Sequence, residues 1–230
     1  MSARNKTNNI IKNHLILCEG IDDKNFLIEY LNSEALKDNP NFSQDIQVID
    51  FGGNSNLTQF LAASKRDDNF RNLKSLLIIR DAETNFQSAM QSIQKSLESN
   101  ELPVPKSPFI WEAPKDETPE KDETPKTGFL LFPTCDAEPT NGTLEDLCFS
   151  ILSNAKAPDL KQEIANFMDT LKAKHQFNFT HPFKTQLHTY FSIHNNYVSL
   201  KIGEAARAGA FDWNHKKLTP LKEFLLKMFI

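Results

Sequence analysis

The sequence predicts an α/β fold, a parallel sheet with helices on both faces. Strand-length apolar runs recur at residues 14–18 (HLILC), 45–51 (DIQVIDF), 75–80 (SLLIIR) and 128–132 (GFLLF). The segments between the first three runs carry apolar residues at helical spacing. The runs are also apolar at consecutive rather than alternate positions, as strands covered on both faces require. Strand–helix alternation at this spacing builds βαβ units and hence a parallel sheet.

The elements follow in order. The first run ends at Glu19-Gly20, and Phe26, Leu27, Tyr30 and Leu31 then mark a helix. The second is closed by Gly52-Gly53-Asn54, which reads as a turn, and Leu57, Phe60 and Leu61 mark the next helix. The third ends at Asp81. Thr84 with Gln87 reads as the capping box of a helix carrying Phe86, Met90, Ile93 and Leu97. Residues 100–127 interrupt the pattern with six prolines and a tandem hexapeptide, KDETPE then KDETPK. So little apolar surface cannot offset the entropy of ordering, so an exposed, mobile excursion is expected. After the fourth run and Gly142 the chain turns helical at residues 143–152, 159–174, 183–194 and 220–229. The expected organisation is an α/β domain over residues 12–152, with the insertion at 100–127, and a helical C-terminal cap over 153–230 packed on it.

Composition excludes several classes. With 26 Lys and Arg against 30 Asp and Glu, the net charge is −4, which does not suggest a basic nucleic-acid coat. Residues 112–126 alone hold six acids and three lysines, so much of that acidity is local to the insertion. No apolar run suits a membrane span, and the N-terminus lacks the apolar core of a secretory signal. Cys18, Cys135 and Cys148 form no CxxC pair, so neither a disulfide framework nor a zinc ribbon is indicated. A soluble cytoplasmic protein is expected. There is no P-loop motif, and His175, His181, His188 and His194 lack the i, i+4 spacing of a helical zinc site. Taken across the chain, Trp111, Trp213 and the phenylalanines show no basic–aromatic interleaving of the single-strand-binding kind.

The chemistry is expected at the carboxyl ends of the strands, where open α/β sheets bind ligands. Acids follow three of those ends: Glu19 and Asp23, Asp81 and Glu83, and Glu145 within Gly142-Thr143-Leu144-Glu145-Asp146. Carboxylates gathered at one edge repel, and hard cations relieve this. Mg²⁺ takes oxygen ligands and keeps several waters, so two or three carboxylates per ion suffice. Each acid also has a plainer reading. Asp22 and Asp23 suit a helix first turn, Thr143 with Asp146 is a capping box, and Asp81 is a solvated strand end. Capping does not explain Glu19, directly at the end of an apolar strand.

These motifs, Leu17-Cys18-Glu19-Gly20-x-x-Asp23, Leu77-Ile78-Ile79-Arg80-Asp81-Ala82-Glu83 and Gly142-Thr143-Leu144-Glu145, resemble the Toprim domain. The nearest flavour is that of the overcoming-lysogenization-defect (OLD) nucleases and small stand-alone Toprim-related proteins, over roughly residues 12–195. The resemblance implies a Toprim-like sheet and cleavage of DNA or RNA dependent on Mg²⁺ or Mn²⁺, with two ions. It implies Glu19 as a metal ligand and catalytic group. Asp23, Asp81, Glu83, Thr143 and Glu145 would be further metal ligands. Lys184, in Pro182-Phe183-Lys184-x-x-Leu187, falls where OLD-type nucleases place a catalytic lysine; Arg80 is the alternative cation. Glu83 stands where the family has Asp, Thr143 where it has Ser, and Thr134-Cys135 follow Pro133 where related small proteins carry Asp-Asn. Asp136 and Glu138 read as loop acids.

The leading expectation is therefore a metal-dependent phosphodiesterase with nucleic acid as partner. A protein partner or homo-oligomer is left open, and no membrane is expected. The alternatives are a non-catalytic Toprim-like binding or regulatory protein, and a hydrolase of small phosphate esters.

Overall fold

A computed structural model describes residues 9–53, 56–114, 124–133, 139–153 and 157–229, with the side chains of 157 and 158 excepted. Five strands form the sheet: β1 (His14–Cys18), β2 (Ile46–Asp50), β3 (Ser75–Asp81), β4 (Trp111–Glu112) and β5 (Lys126–Phe132). The helices are α1 (Ile21–Leu31), α2 (Glu34–Lys37), α3 (Leu57–Ser64), α4 (Phe86–Glu98), α5 (Leu144–Ser150), α6 (Ala157–His175), α7 (Pro182–Ile193), α8 (Ile202–Arg207) and α9 (Thr219–Met228). The strand order is β2-β1-β3-β5-β4. The first four strands run parallel, and β4 pairs antiparallel with β5. The α/β expectation holds. From β1 the chain winds outward to β2, then crosses back to β3 on the other side. The winding therefore reverses between β1 and β3, and their carboxyl ends flank a crevice.

Strand alternation divides the core in two. Ile16, Cys18, Leu77, Ile79, Leu130 and Phe132 face one side, with α1 and residues of α5–α9. Leu15, Leu17, Leu76, Ile78, Phe129 and Leu131 face the other, with α3 and α4. Each central strand buries both faces, which is why its residues are apolar without alternation. Full burial of one such side chain contributes about 1.5–3 kcal/mol. The helical cap does not build a core of its own. Ile164, Met168, Leu187, Phe191, Leu221 and Phe224 belong to the same cluster as the sheet residues. The chain end returns to the opposite edge of the sheet, where Ser75 Oγ donates to Met228 O at 3.3 Å.

Two expectations are corrected. Residues 102–114 are docked, not a free excursion: Leu102 is buried, Trp111 and Glu112 pair with Gly128 and Thr127, and the Thr127 hydroxyl donates to Pro103 O. β5 accordingly starts at Lys126, inside the stretch read as insertion. Most of the hexapeptide repeat, along with Cys135, Asp136 and Glu138, lies outside the described residues. At α4 the cap is Asn85, whose side chain accepts from Ser88 N at 2.9 Å, rather than the Thr84–Gln87 box. β3 ends at Asp81, as expected. Among the described residues, no helix is long and apolar enough to cross a membrane.

Candidate active site

The crevice between β1 and β3 is walled by carboxylates from separate segments. Glu19 follows β1 directly. Gly20 then caps α1 in an extended conformation (φ −137°), and Asp23 Oδ2 accepts from Gly20 N at 2.9 Å. A Cβ on Gly20 would stand 3.2 Å from that same oxygen, so glycine allows the first turn to close tightly. The plain capping reading of Asp23 is thus met, yet its carboxyl is buried in the crevice rather than solvated.

Asp81 ends β3 and accepts from Leu144 N at 2.8 Å, tying the strand to the first turn of α5. That turn is placed by a short backbone bridge. Glu83 N donates to Gly142 O and Gly142 N to Glu83 O, each at 2.8 Å. Glu83 adopts φ 54° to make it, so it helps the site first through its main chain. Thr143 is the N-cap of α5, and its hydroxyl and N–H both donate to Asp146 Oδ2, at 2.9 and 2.8 Å. The Thr143–Asp146 capping box is therefore real. It also aims Glu145, in that first turn, at the crevice.

Two cations answer these acids. Arg80, only 2% exposed, donates from Nε to Glu19 Oε2 at 3.3 Å and from Nη1 to Ser92 Oγ at 3.2 Å. Lys184 of α7 sets Nζ 3.0 Å from Glu145 Oε1 while 56% exposed itself. Neither pairing is a neighbour in sequence. Burial, reinforced by the charges of Glu19 and Glu145, pushes Asp23 up to about 7 despite the Gly20 N–H. Burial together with Asp23 and Glu145 pushes Asp81 up to about 9. Burial alone would raise Glu145 too, but the Lys184 ammonium and Thr143 outweigh it and hold the group below the usual glutamate value. Burial pushes the Cys18 and Cys148 thiols up, so both are inert packing groups.

A family model described as a protein of unknown function, DUF3226, matches residues 13–230. The chain belongs to the DUF3226 family. No curated protein and no solved structure matches it. The DUF3226 match begins just before β1 and includes the crevice and every helix after it.

Of the residues singled out in sequence, Glu19, Asp23, Asp81 and Glu145 are brought close enough in the DUF3226 crevice to repel one another. Lys184 joins them, Thr143 caps the helix beneath, and Glu83 braces the loop. Sequence reading passed over Asp22 as a cap. Its Oδ1 is a buried oxygen without a hydrogen-bond partner, and its charge raises Lys184. The signal was available, since Asp22 and Asp23 are adjacent in the first turn.

An all-carboxylate donor set of this kind fits a hard divalent cation. The fit is chemical rather than preassembled. Among the described residues, no group of three or more His, Cys, Asp or Glu side chains is drawn together to hold a metal ion. The cause is visible: Glu19 is turned to Arg80 and Glu145 to Lys184, while Asp23 and Asp81 accept from backbone N–H groups. Cation loading of the DUF3226 crevice therefore requires these side chains to exchange partners.

Proposed function

We propose that this protein is a divalent-metal-dependent phosphodiesterase acting on nucleic acid, DNA or RNA, in the cytoplasm. The observation that carries the reading is electrostatic. Four carboxylates, following β1 and from α1, β3 and α5, face one crevice at the switch point, where burial first and their mutual repulsion second raise Asp23 and Asp81. Arg80, Lys184 and retained protons offset part of this repulsion, and a bound divalent cation would offset the rest. The Toprim-like order of Glu19-Gly20, Asp81-x-Glu83 and Thr143-x-Glu145 supports the same chemistry.

Glu19, Asp81 and Glu145 would hold Mg²⁺ or Mn²⁺, with Asp23, Glu83 and Thr143 in supporting positions. A pair of bound ions supplies an activated water and stabilisation of the leaving oxygen. This chain's own contribution is orientation and charge. Arg80, anchored by Ser92, fixes the Glu19 carboxylate. Lys184 is exposed enough to turn from Glu145 toward a phosphate oxygen, where a cation offsets charge growing in the transition state.

One observation favours a second reading, a non-catalytic binding or regulatory protein. Glu19 and Glu145 already have internal cationic partners, which serve in place of metal. Purified protein incubated with Mg²⁺ or Mn²⁺ and plasmid, linear DNA or RNA separates the two. Cleavage that disappears in Glu19→Gln and Asp81→Asn supports the nuclease. No cleavage of any polymer, with variants equal to the parent, leaves the regulatory reading. Hydrolysis of mononucleotides without cleavage of polymers points to a small-phosphate hydrolase instead.

A further inference from the structure

The stretch from the last turns of α6 through α7 to the start of α8 has a composition unlike the rest of the chain. Between Asp169 and Glu204 there is no acidic residue, whereas Lys172, Lys174, Lys184 and Lys201 and four histidines lie there, in a protein of net charge −4. Within it, basic and aromatic groups are interspersed: Lys172, Lys174 and His175, then Phe177 and Phe179, then His181, Phe183 and Lys184. Aromatic residues taken chain-wide hide this interleaving because it is confined to thirteen positions, 172–184.

The structure divides the three rings into an anchor and two platforms. Phe179 packs against the core cluster, with Lys172 Nζ 5.9 Å from its ring centre. Phe177, centred 6.3 Å from Phe179, is 56% exposed, and Phe183 is 45% exposed. Lys172 and Lys174 at the end of α6 do suit that helix's negative end, and Lys172 reaches Asp169 at 3.6 Å. A helix dipole does not call for two exposed phenyl rings beyond the helix. Nor does it call for a run of 34 residues, 170–203, cleared of acids. The segment also ends in the crevice, since Lys184 directly follows Phe183 and contacts Glu145.

We propose that the end of α6, the α6–α7 connection and the start of α7 form a landing surface for a single-stranded polynucleotide. Phe177 and Phe183 stack its bases, Lys172 and Lys174 hold its phosphates, and the strand is led toward Lys184 and the crevice. Stacking on aromatic faces with cations along the backbone is how single strands are held without sequence readout. A duplex hides its base faces and gains only the charge. The inference deepens the proposed nuclease function and rests on it for direction, but binding is measurable without cleavage.

The test is fluorescence anisotropy in EDTA with fluorescein-labelled oligo(dT), oligo(U) and a DNA duplex, on the Glu19→Gln/Asp81→Asn protein. At least one single strand is expected to bind about tenfold or more tighter than the duplex. Phe177→Ala and Phe183→Ala should each weaken it by about tenfold. Phe177→Leu, which keeps apolar bulk and removes the ring, should weaken it comparably if stacking is the cause. Lys172→Gln and Lys174→Gln should each lower the log–log salt slope by about 0.7. The better-bound of the DNA and RNA strands identifies the sugar. Equal binding of duplex and single strand, or insensitivity to the Phe variants, overturns the inference. So does tighter binding to phosphatidylserine vesicles or polyglutamate. Binding as expected without cleavage by the parent retains the inference and removes the nuclease reading; cleavage without Phe dependence does the reverse.

Discussion

Lys184 of α7 places its ammonium 3.0 Å from the Glu145 carboxylate in the first turn of α5. The contact joins a helix of the C-terminal half to the strand-end acids, and it gives Lys184 two separable roles. As a structural contact it is weak, because the lysine side chain is more than half exposed and exposed pairs contribute about 0–1 kcal/mol. In the proposed nuclease it would be the cation at the mouth of the crevice that faces the phosphate. Lys184→Ala is expected to lower urea-unfolding stability by no more than about 1 kcal/mol. The proposed metal-dependent cleavage should fall by about 100-fold or more. A stability loss in proportion to the activity loss would assign Lys184 a purely structural role.

Arg80 should behave oppositely. Its guanidinium is buried between Glu19 and Ser92. Arg80→Met leaves the Glu19 carboxylate partly buried with its cation gone, and breaking such a pair costs about 3–5 kcal/mol. Adding Glu19→Gln should restore part of that loss in urea denaturation. If the double variant is less stable than the sum of the singles, charge pairing is not what Arg80 supplies.

The pH dependence follows from Asp23 and Asp81. Both are raised by burial and neighbouring carboxylates, to about 7 and about 9, against about 3.9 in an unfolded chain. Between those limits the folded protein holds protons that the unfolded chain has released. Their contribution is therefore fully present at low pH and lost as pH rises through 7 and 9. Glu145, held low by Lys184, has the opposite sign, and its contribution is lost only below the ordinary glutamate range. In EDTA the melting temperature should fall from pH 6.5 to pH 9, and Asp81→Asn should flatten that fall. A melting temperature rising across this interval contradicts the burial of these acids.

Metal should cancel the same repulsion. Mn²⁺ is expected to raise the melting temperature of the parent at pH 7.5 and to release protons on binding, because Asp81 must ionise to act as a ligand. Calorimetry in buffers of different ionisation enthalpy measures the release. Asp81→Asn should bind more weakly and release fewer protons. Binding with no proton exchange would exclude Asp81 from the ligand set.

Gly203 tests the scaffold behind the crevice. A Cβ there would lie 2.2 Å from Asn25 Cβ, so α8 rests on α1 too closely for any side chain at 203. Gly203→Ala must push α8 off the helix that carries Asp22 and Asp23, and overpacking of this kind costs about 1–3 kcal/mol. Asn25→Gly/Gly203→Ala should recover part of it. A fully stable Gly203→Ala would show that α1 is not clamped.

The sequence by itself determined the strand-and-helix alternation, the burial of the central strands on both faces and the Thr143–Asp146 cap. It also placed Glu19, Asp23, Asp81 and Glu145 at strand or helix ends. These are properties of neighbours along the chain, and the periodicity of side chains records them directly. Only the tertiary structure decided which cation meets which acid, because Arg80–Glu19 and Lys184–Glu145 join residues 61 and 39 positions apart. Proline count and charge suggested a free excursion at 100–127, yet within it Trp111 and Glu112 found the open edge of β5, and a backbone pairing overrides local composition. The elevated pKa values of Asp23 and Asp81 are likewise invisible in sequence. They arise from desolvation and mutual repulsion, which exist only once the β1–β3 crevice has closed around them.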